Sequence, residues 1–587
     1  MSQYPSSNAA RALVIPELLD MVFQYLDDAS NASNARVCKQ WSELALDTLW
    51  KEVTEPYHLF SLLAPMTCSA GEYSFTRPLE SNDWRRFDRY RRRVRTLYYH
   101  TSEAEYILHP STFDDLARTR TSFDILPCLH TLKWHARIAL CVLFMHRHIR
   151  TFAVMLPSSS SLGSLFDQVA ARMPAITHLD LRMSLSMRAI EPHTTTLLAS
   201  LTKLTKITLP RFCLTTALAE HLSRLPHLES IEFQYLDEQG RGDPADVLDF
   251  SPVLTQGAFP ALSDLNTTIT YTHAARFFTA SFAPTALTSL YLDSTLIESP
   301  TATRALTTVL AESCQLLKSL ALVSLVDAST VLSTPPDPDT CLAIADLRPL
   351  FRCTRLTSLE VVHHAPLRLS LADVEELARA WPAIETLLLN TEPAYLASAH
   401  LTLHALVPFA RHCPSLRVLG LFLDASAPAT AVADELPPFA ALRRLSMGVS
   451  PLAPRSTGAA ALFLSHLVPR RCPPACRIES GVTWDEALPV APGNVVEIQA
   501  RCEAWARVVE LLPLLVGLRG EERERRRGLE EEVRVLRGRV GGAGGGGVAE
   551  GRGGEAGAEG RGGEAEAQGK GRGWVRAWAW ARWRGLS

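Results

Sequence analysis

The chain has 587 residues, of which 47% are hydrophobic and 21% charged, and its formal net charge is −3. This is the composition of an ordinary globular protein, and the near-neutral charge provides no bulk field for nucleic acid or an anionic membrane. The best membrane-span candidate, VVELLPLLVGL from Val508, is too short and contains Glu510 and Pro513. We therefore expect neither nucleic acid nor a membrane as a partner.

The N-terminal residues lack the basic start, apolar middle and small-residue exit of a signal peptide. The 12 cysteines have no paired spacings, which favours reduced and mostly buried thiols. The expected location is therefore the cytoplasm, the nucleus or both. We expect residues 1–11 to be disordered and residues 12–53 to form the first folded module.

A helix is predicted from Pro16 to Tyr25, because proline suits the first turn and Glu17 lies where the helix dipole favours a negative charge. A second helical stretch is predicted from about Ala32 to Leu46. The apolar residues of the first helix cover more than one of its faces. About forty residues cannot bury the apolar faces of three helices, so a partner or the following repeats must cover them.

Several short motifs in this module occur in a characteristic order and spacing. They are Ile15-Pro16-Glu17-Leu18-Leu19, Val22-Phe23, Tyr25-Leu26, Val37-Cys38, Trp41 and Leu49-Trp50. Together they resemble an F-box, which opens with Leu-Pro-x-Glu, continues through aliphatic-Phe-x-x-Leu and carries Val-Cys-x-x-Trp before a terminal Leu-Trp. Ile15 replaces the usual leucine. Asn31 and Asn34 stand where the family usually has leucines, which predicts a weaker middle helix.

The resemblance implies a role in ubiquitin ligation. An F-box docks onto a Skp-type adaptor, which joins a cullin–RING ligase, and the domain after the F-box holds the substrate. The implied adaptor contacts on this sequence are Pro16, Leu19, Val22, Phe23, Leu26, Val37 and Trp41. The alternative is that Phe23 and Trp41 only pack the module against the first repeat.

Residues 54–92 are predicted to form a connector that ends in a helical cap. Seven arginines lie between Arg85 and Arg95, and Trp84, Phe87 and Tyr90 recur at helical spacing. Interleaved aromatic and arginine side chains could bind RNA or phosphate. We favour a helix whose aromatic face covers the end of the first repeat while its arginines face solvent.

Residues 93–480 repeat one apolar template thirteen times, as in LHTLKW: an apolar residue, two others, an apolar residue, one other and usually a third apolar or β-branched residue. Most repeats are 20 to 35 residues apart. The first positions are Val94, Leu129, Ile149, Ile176, Leu204, Leu228, Leu262, Leu287, Leu317, Leu356, Ile384, Leu416 and Leu442.

Amphipathic stretches between these segments predict helices that end at a proline. The junctions are Met173-Pro174, Leu225-Pro226, Trp381-Pro382 and Cys413-Pro414. The pattern resembles the cysteine-containing class of leucine-rich repeat, with Cys314, Cys353 and Cys413 as buried hydrophobes rather than metal ligands. The predicted fold class is α/β: a three-helix F-box followed by a leucine-rich-repeat solenoid with a parallel sheet on its concave face and helices outside.

Alternation along each strand should direct the intervening side chains to the concave surface. These residues mix charged and aromatic types, which favours a protein substrate over a phosphate ligand. The candidate substrate contacts are Asp180, Arg182, Glu232, Tyr291, Asp293, Glu360, Asn390 and Phe422.

Catalytic motifs are missing from the sequence: it contains no Gly-x-Ser-x-Gly, no phosphate-binding glycine loop before a helix and no His-Glu-x-x-His. Cys472 and Cys476 lack a second ligand pair, and His363-His364 is predicted to lie in a surface loop. We expect no catalytic residue, no cofactor and no metal.

Residues 497–540 predict a helical segment in which Leu529, Val533, Leu536 and Val540 form a narrow apolar seam about two heptads long. Residues 541–587 are rich in Gly, Ala, Glu and Arg and are predicted to be disordered. Their tryptophan-rich end is compatible with a membrane interface, but we favour a tail without selected function.

Three functional hypotheses follow. The first is a non-catalytic substrate-recognition subunit of an SCF-type ubiquitin ligase. The second is a leucine-rich-repeat interaction scaffold whose F-box is degenerate and does not bind the adaptor. The third, a nucleic-acid or membrane protein using the arginine cluster or the tryptophan-rich end, is disfavoured by the overall charge.

Overall fold

The computed structural model describes residues 15–157, 162–234, 237–324, 340–396, 399–426, 436–469, 476–482 and 492–542. The chain divides into two compact units, Met1–Thr295 and Leu296–Ser587. Each unit contains parallel strands joined by helices, which confirms the predicted α/β class. The predictions for residues 1–14 and for the tail beyond residue 542 lie outside the described residues.

Three short helices open the first unit: α1 (Pro16–Phe23), α2 (Asp28–Asn34) and α3 (Lys39–Leu49). Pro16 lies in the first turn of α1, and Asp27 caps α2 by accepting a hydrogen bond from the Ser30 backbone N–H at 2.7 Å. The continuous helical stretch predicted from Ala32 to Leu46 is wrong. The chain turns over residues 35–38, and Cys38 has an extended backbone before α3 begins.

The connector contains more strand than the sequence predicted. Strand β1 (Glu52–Val53) ends the preceding module, and the connector holds α4 (Pro56–Phe60), β2 (Met66–Ser69), β3 (Glu72–Phe75) and α5 (Ser81–Arg91). Strand β1 pairs in parallel with β4 (Thr96–His100), while β2, β3 and β5 (Ile107–Leu108) form a separate small sheet. Ala70 and Gly71 have φ values of 53° and 87° and make the tight turn between β2 and β3.

Helix α5 has the predicted aromatic face. Trp84 and Phe87 are buried, and Tyr90 is half-buried against Trp50, with ring centroids 5.4 Å apart. The prediction that all the arginines are solvated is wrong for Arg91. Its guanidinium is buried and donates to the Ser122 hydroxyl at 2.6 Å, because the loop that contains Ser122 and Asp124 lies against it.

The remainder of the first unit alternates strands with helices or short 3-10 turns. The further strands are β6 (Thr131–His135), β7 (Thr151–Met155), β8 (His178–Arg182), β9 (Lys206–Thr208), β10 (Ser230–Glu232), β11 (Asp264–Thr267) and β12 (Ser289–Asp293). The further helices are α6 (Pro110–Thr119), α7 (Leu162–Arg172), α8 (Met187–Ser200), α9 (Thr216–Leu222) and α10 (Tyr271–Thr279). The sheet order is β1-β4-β6-β7-β8-β9-β10-β11-β12, with each strand parallel to its neighbours.

The second unit continues in the same style. Its strands are β13 (Ser319–Ser324), β14 (Ser358–His363), β15 (Thr386–Leu389), β16 (Val418–Leu421), β17 (Arg444–Gly448) and β18 (Arg477–Ser480), paired in parallel in chain order. Its helices are α11 (Pro300–Ser313), α12 (Ile344–Leu347), α13 (Leu371–Ala380), α14 (Leu406–His412), α15 (Thr457–Leu467) and α16 (Pro492–Gly542).

The repeated template determines where the strands begin. Each of the strands β4 and β6 to β17 starts two residues after the first apolar position of its segment. All thirteen of those first positions are at most 2% exposed. The second apolar positions meet across the sheet, as in the pairs Leu97–Leu132 and Leu359–Leu387. The template therefore forms both the core and the register of the parallel sheets.

Helix α16 contains the helical segment predicted over 497–540. Trp505 is fully buried, and its indole N–H donates to the Ser450 carbonyl at 2.9 Å. Arg501 donates to the Val449 carbonyl at 2.6 Å. The first part of α16 is thus anchored to the loop that follows β17.

Candidate functional site

The first three helices form a module with its own small core. Leu19 and Phe23 of α1 and Ala45 of α3 are at most 1% exposed and pack together. Trp41 is half-buried against them, with its ring 5.5 Å from that of Phe23 in an edge-on arrangement. These side chains hold α1 across α3.

Asn31 of α2 is part of this core. Its side chain is 1% exposed, and its amide nitrogen donates to the carbonyl of Phe23 at 2.9 Å and to that of Leu26 at 3.4 Å. The Phe23 carbonyl also accepts from the Leu26 N–H at 3.2 Å, so Asn31 adds a second hydrogen bond there and one to the Leu26 carbonyl just beyond α1. These contacts favour a role for Asn31 in the packing of the module, and whether it weakens the middle helix stays a prediction.

The opposite face of α1 is apolar and uncovered by the described residues. Val22 is 49% exposed, Tyr25 90% and Val37, in the turn before α3, 61%. The residues that share this exposure are Ile15, Leu18, Met21, Val22, Tyr25, Leu26 and Val37. Such an apolar surface is a candidate docking site for another protein.

The structure separates the seven predicted adaptor contacts into two groups. Pro16, Val22, Leu26 and Val37 face solvent. Leu19 and Phe23 do not, because they form the core of the module, and Trp41 has only partial access. Four further exposed apolar residues of this surface were not among the predicted contacts: Ile15, Leu18, Met21 and Tyr25. The helical period could have identified Leu18, Met21 and Tyr25, because their positions lie away from Leu19 and Phe23, but not Ile15, which lies four residues before Leu19.

Arg89 of α5 and Arg93, two residues beyond that helix, form ion pairs with α3. Arg93 is ion-paired with Glu43 and Asp47 and also donates to the Glu43 carbonyl at 3.0 Å. Arg89 reaches the Glu43 carboxylate at 3.1 Å. The hydrogen bond from Arg93 lowers the pKa of Glu43 below its usual value. These ion pairs, together with the β1–β4 pairing, attach the helical module to the first strands of the unit.

The eight predicted substrate contacts do not form one exposed surface. Asp180, Arg182 and Glu360 keep partial access to solvent. The other five are at most 7% exposed, contrary to the prediction. These buried residues are Glu232, Tyr291, Asp293, Asn390 and Phe422.

Partners from neighbouring strands and loops account for this burial. Glu232 accepts from Lys206 Nζ at 2.8 Å and from the Ser230 hydroxyl at 2.8 Å. Asp293 is ion-paired with Arg211, which lies in the loop after β9. Alternation along a strand predicts the face on which a residue lies, but not what covers that face.

The three buried residues without charge are covered in other ways. The ring of Tyr291 lies edge-on to Phe233, with centroids 5.4 Å apart. Asn390 has φ +47° and bridges two turns, accepting from the His363 N–H at 2.9 Å and donating to the Ala365 carbonyl at 2.7 Å. Phe422 packs in a cluster with Val449 and Ile498, and Ile498 belongs to α16.

A partly exposed charged cluster lies in the first unit, with side-chain exposures of 12% for Arg182, 17% for Asp180 and 42% for Glu238. Arg182 contacts Asp180 at 3.0 Å and Glu238 at 3.6 Å. His135 lies nearby on β6, with its ring centroid 4.8 Å from that of His100. Burial first, and then the charge of Arg182, lower the pKa of His135 to about 3, so its imidazole is neutral.

His363 and His364 are fully buried, so the predicted surface loop is wrong. The ring of His363 lies 3.1 Å from the Glu298 carbonyl through Nε2, and that of His364 lies 2.9 Å from the Ser324 carbonyl through Nδ1. Burial lowers the pKa of His363. Both side chains tie turns of the second unit together.

The cysteines of the repeats have the predicted packing role. Cys314, Cys353 and Cys413 are at most 2% exposed. Burial raises the pKa of Cys314 to about 12 and that of Cys353 to about 11, so both thiols stay protonated near neutral pH. In the described ranges, no group of three or more His, Cys, Asp or Glu side chains could hold a metal ion. No helix in the same ranges has the length and apolar character needed to cross a membrane.

Comparison with known protein families identifies the helical module. The family model described as F-box-like matches residues 16–55, from the first residue of α1 to two residues beyond β1. No curated protein sequence matches the chain. The chain therefore carries an F-box-like domain, and the exposed face of α1 belongs to it.

Proposed function

We propose that this protein is the substrate-recognition subunit of an SCF-type cullin–RING ubiquitin ligase and is itself non-catalytic. The observation that carries the proposal is the uncovered apolar face of α1 within a module that matches an F-box-like family. Exposed apolar surface is unfavourable in water, and burial of this face by a partner removes that free-energy cost. The proposed partner is a Skp-type adaptor, which links the chain to the cullin, in the cytoplasm, the nucleus or both.

The proposed adaptor surface consists of side chains with solvent access rather than those of the module core. It includes Pro16, Val22, Tyr25, Leu26 and Val37, with Ile15, Leu18 and Met21 around them. Trp41 contributes mainly indirectly, because its ring packs against Phe23 and so holds α1 in place.

We further propose that residues 93–480 form a leucine-rich-repeat solenoid that holds a protein substrate. The common offset between template and strand, and the burial of all thirteen first positions, support this assignment. The proposed substrate contacts are Asp180, Arg182 and Glu360, whose charged groups retain access to solvent.

Adaptor binding by the full chain tests the proposal. Val22→Asp places a charge on the proposed interface, and Val253→Asp is the matched control on an apolar residue that is 74% exposed elsewhere in the same unit. We expect stoichiometric binding by wild type and by Val253→Asp. Val22→Asp should weaken binding by about thirtyfold or more, as for a central interface residue.

The circular dichroism of both variants should match that of wild type. If folded wild-type protein does not bind the adaptor, the ligase role is wrong. The chain is then better described as an interaction scaffold with a degenerate F-box.

A further inference from the structure

Helix α16 carries a second uncovered apolar surface. Its first part packs through Trp505, Val508 and Leu512, but another set of apolar side chains on the same helix remains in solvent. Leu511 is 38% exposed, and the values for the others range from 45% to 66%. The six that share one face are Leu511, Leu514, Leu518, Leu529, Val533 and Leu536, while Val495, Val496, Val509 and Val535 are exposed outside this set.

These six residues lie on one face of the helix. With Glu522 and Arg525 included, the positions recur at intervals of 3, 4, 4, 3, 4, 4 and 3 residues. Such an eleven-residue repeat stays close to one side of an α-helix, because it averages about 3.67 residues per turn. We call these eight residues the α16 stripe. It is about 38 Å long at a rise of about 1.5 Å per residue, and Pro513 lies on the other side of the helix.

The spacing of the α16 stripe is symmetric about the midpoint between Arg523 and Glu524. An antiparallel copy centred there brings apolar residues of one chain against apolar residues of the other. Its apolar pairs are Leu511 with Leu536, Leu514 with Val533, and Leu518 with Leu529, and each pair occurs twice.

The charges fit the same arrangement. At the centre, Glu522 of each chain meets Arg525 of the other, and beside the stripe Glu521 meets Arg526 and Glu510 meets Arg537. No charged residue from 510 to 537 lies level with a residue of the same charge in this register. A parallel, in-register pair would instead place Glu522 against Glu522 and Arg525 against Arg525, which is repulsive.

We propose that the protein forms a homodimer through antiparallel pairing of the α16 stripe. The anchored first part of α16 supplies a preformed helix, so pairing does not bear the full cost of helix nucleation. Dimerisation through the α16 stripe does not use the proposed adaptor surface, because the stripe lies in the second unit and the F-box-like domain in the first.

The test measures the association of the full chain by sedimentation velocity over a dilution series. Wild type should show a concentration-dependent dimer. Glu522→Arg replaces two attractive contacts with repulsive ones and should raise the dissociation constant by about tenfold or more. Arg525→Glu should do the same. The double variant Glu522→Arg/Arg525→Glu restores opposite charges and should regain dimerisation.

Glu531→Arg is the matched control, since it changes the same charge on the far side of the helix, where Glu531 pairs with Arg534 at 3.0 Å. Its dissociation constant should equal that of wild type. A wild-type chain that stays monomeric throughout the series overturns the proposal. So does a dimer that is insensitive to Glu522→Arg, or a double variant that fails to recover.

Discussion

Helix α1 exposes apolar side chains on one of its faces, whereas strand β10 buries a charged side chain on one of its faces. In α1, Leu19 and Phe23 are buried, while the equally apolar Val22 lies in solvent. In β10, Ile231 is buried on one face, and the charged Glu232 on the other face is 1% exposed. The difference depends on neighbours: Lys206 from β9 covers Glu232, whereas no described part of the chain covers Val22. An apolar residue without a cover is thus a better guide to a binding surface than a polar residue at an outward position.

The largest expected effect contrasts the two faces of α1. Phe23→Ala empties the module core and should destabilise it by about 3–5 kcal/mol. Tyr25→Ala alters a residue that is 90% exposed and should change stability by less than about 0.5 kcal/mol. Hydrogen exchange of residues 16–49 measures the first effect.

Adaptor titration separates the two variants functionally. We expect both to lose affinity, but only Phe23→Ala to lose amide protection. Equal protection in the two variants would contradict the assignment of Phe23 to the core.

The role of Lys206 in stabilising the buried Glu232 of β10 is tested by removing the lysine charge. Lys206→Met takes the ammonium away from the buried Glu232 carboxylate and should lower the free energy of unfolding by about 3 kcal/mol. Urea unfolding monitored by circular dichroism gives the value. Adding Glu232→Gln removes the buried charge and should recover most of the loss. A Lys206→Met variant as stable as wild type would show that the pair does not stabilise β10.

A pH-dependent effect of intermediate size is expected from His135. Because its pKa is about 3 in the folded state and about 6.5 in an unfolded chain, the unfolded state binds more protons between these values. Stability should therefore be full above about pH 6.5 and decrease as the pH falls towards 3. Between about pH 7.5 and pH 5 the contribution of His135 amounts to about 2 kcal/mol.

Urea unfolding at the two pH values measures this term. His135→Gln should reduce the loss of stability on acidification, while His227→Gln, at an exposed position, should leave it unchanged. An identical pH dependence in wild type and His135→Gln would show that this histidine is not buried as described.

The smallest expected effect concerns Asn31. Asn31→Ala removes two hydrogen bonds to the end of α1 and should destabilise the helical module by about 1 kcal/mol. Hydrogen exchange at residues 16–26 reports the change, and Asn34→Ala in the same helix is the control. If Asn31→Ala is neutral or stabilising, Asn31 does not stabilise the module, and the weaker middle helix predicted from the F-box pattern is supported.

Local residue spacing was enough to predict several features of the fold. The F-box resemblance rests on motifs between Ile15 and Trp50, and the family match covers nearly the same residues. The leucine template predicted thirteen strands and their cores, because the position of an apolar residue in a strand decides which face it occupies. Trp84 and Phe87 were likewise identified by helical period alone.

The segments that cover each surface come from contacts between parts of the chain that are far apart in sequence. The burial of Glu232 and Asp293 depends on Lys206 and Arg211, which are distant in sequence. The burial of Phe422 depends on Ile498 in α16, and Asn31 became a core residue through carbonyls five and eight residues earlier. Periodicity specifies direction relative to the local backbone, whereas exposure depends on contacts between segments that local periodicity does not encode.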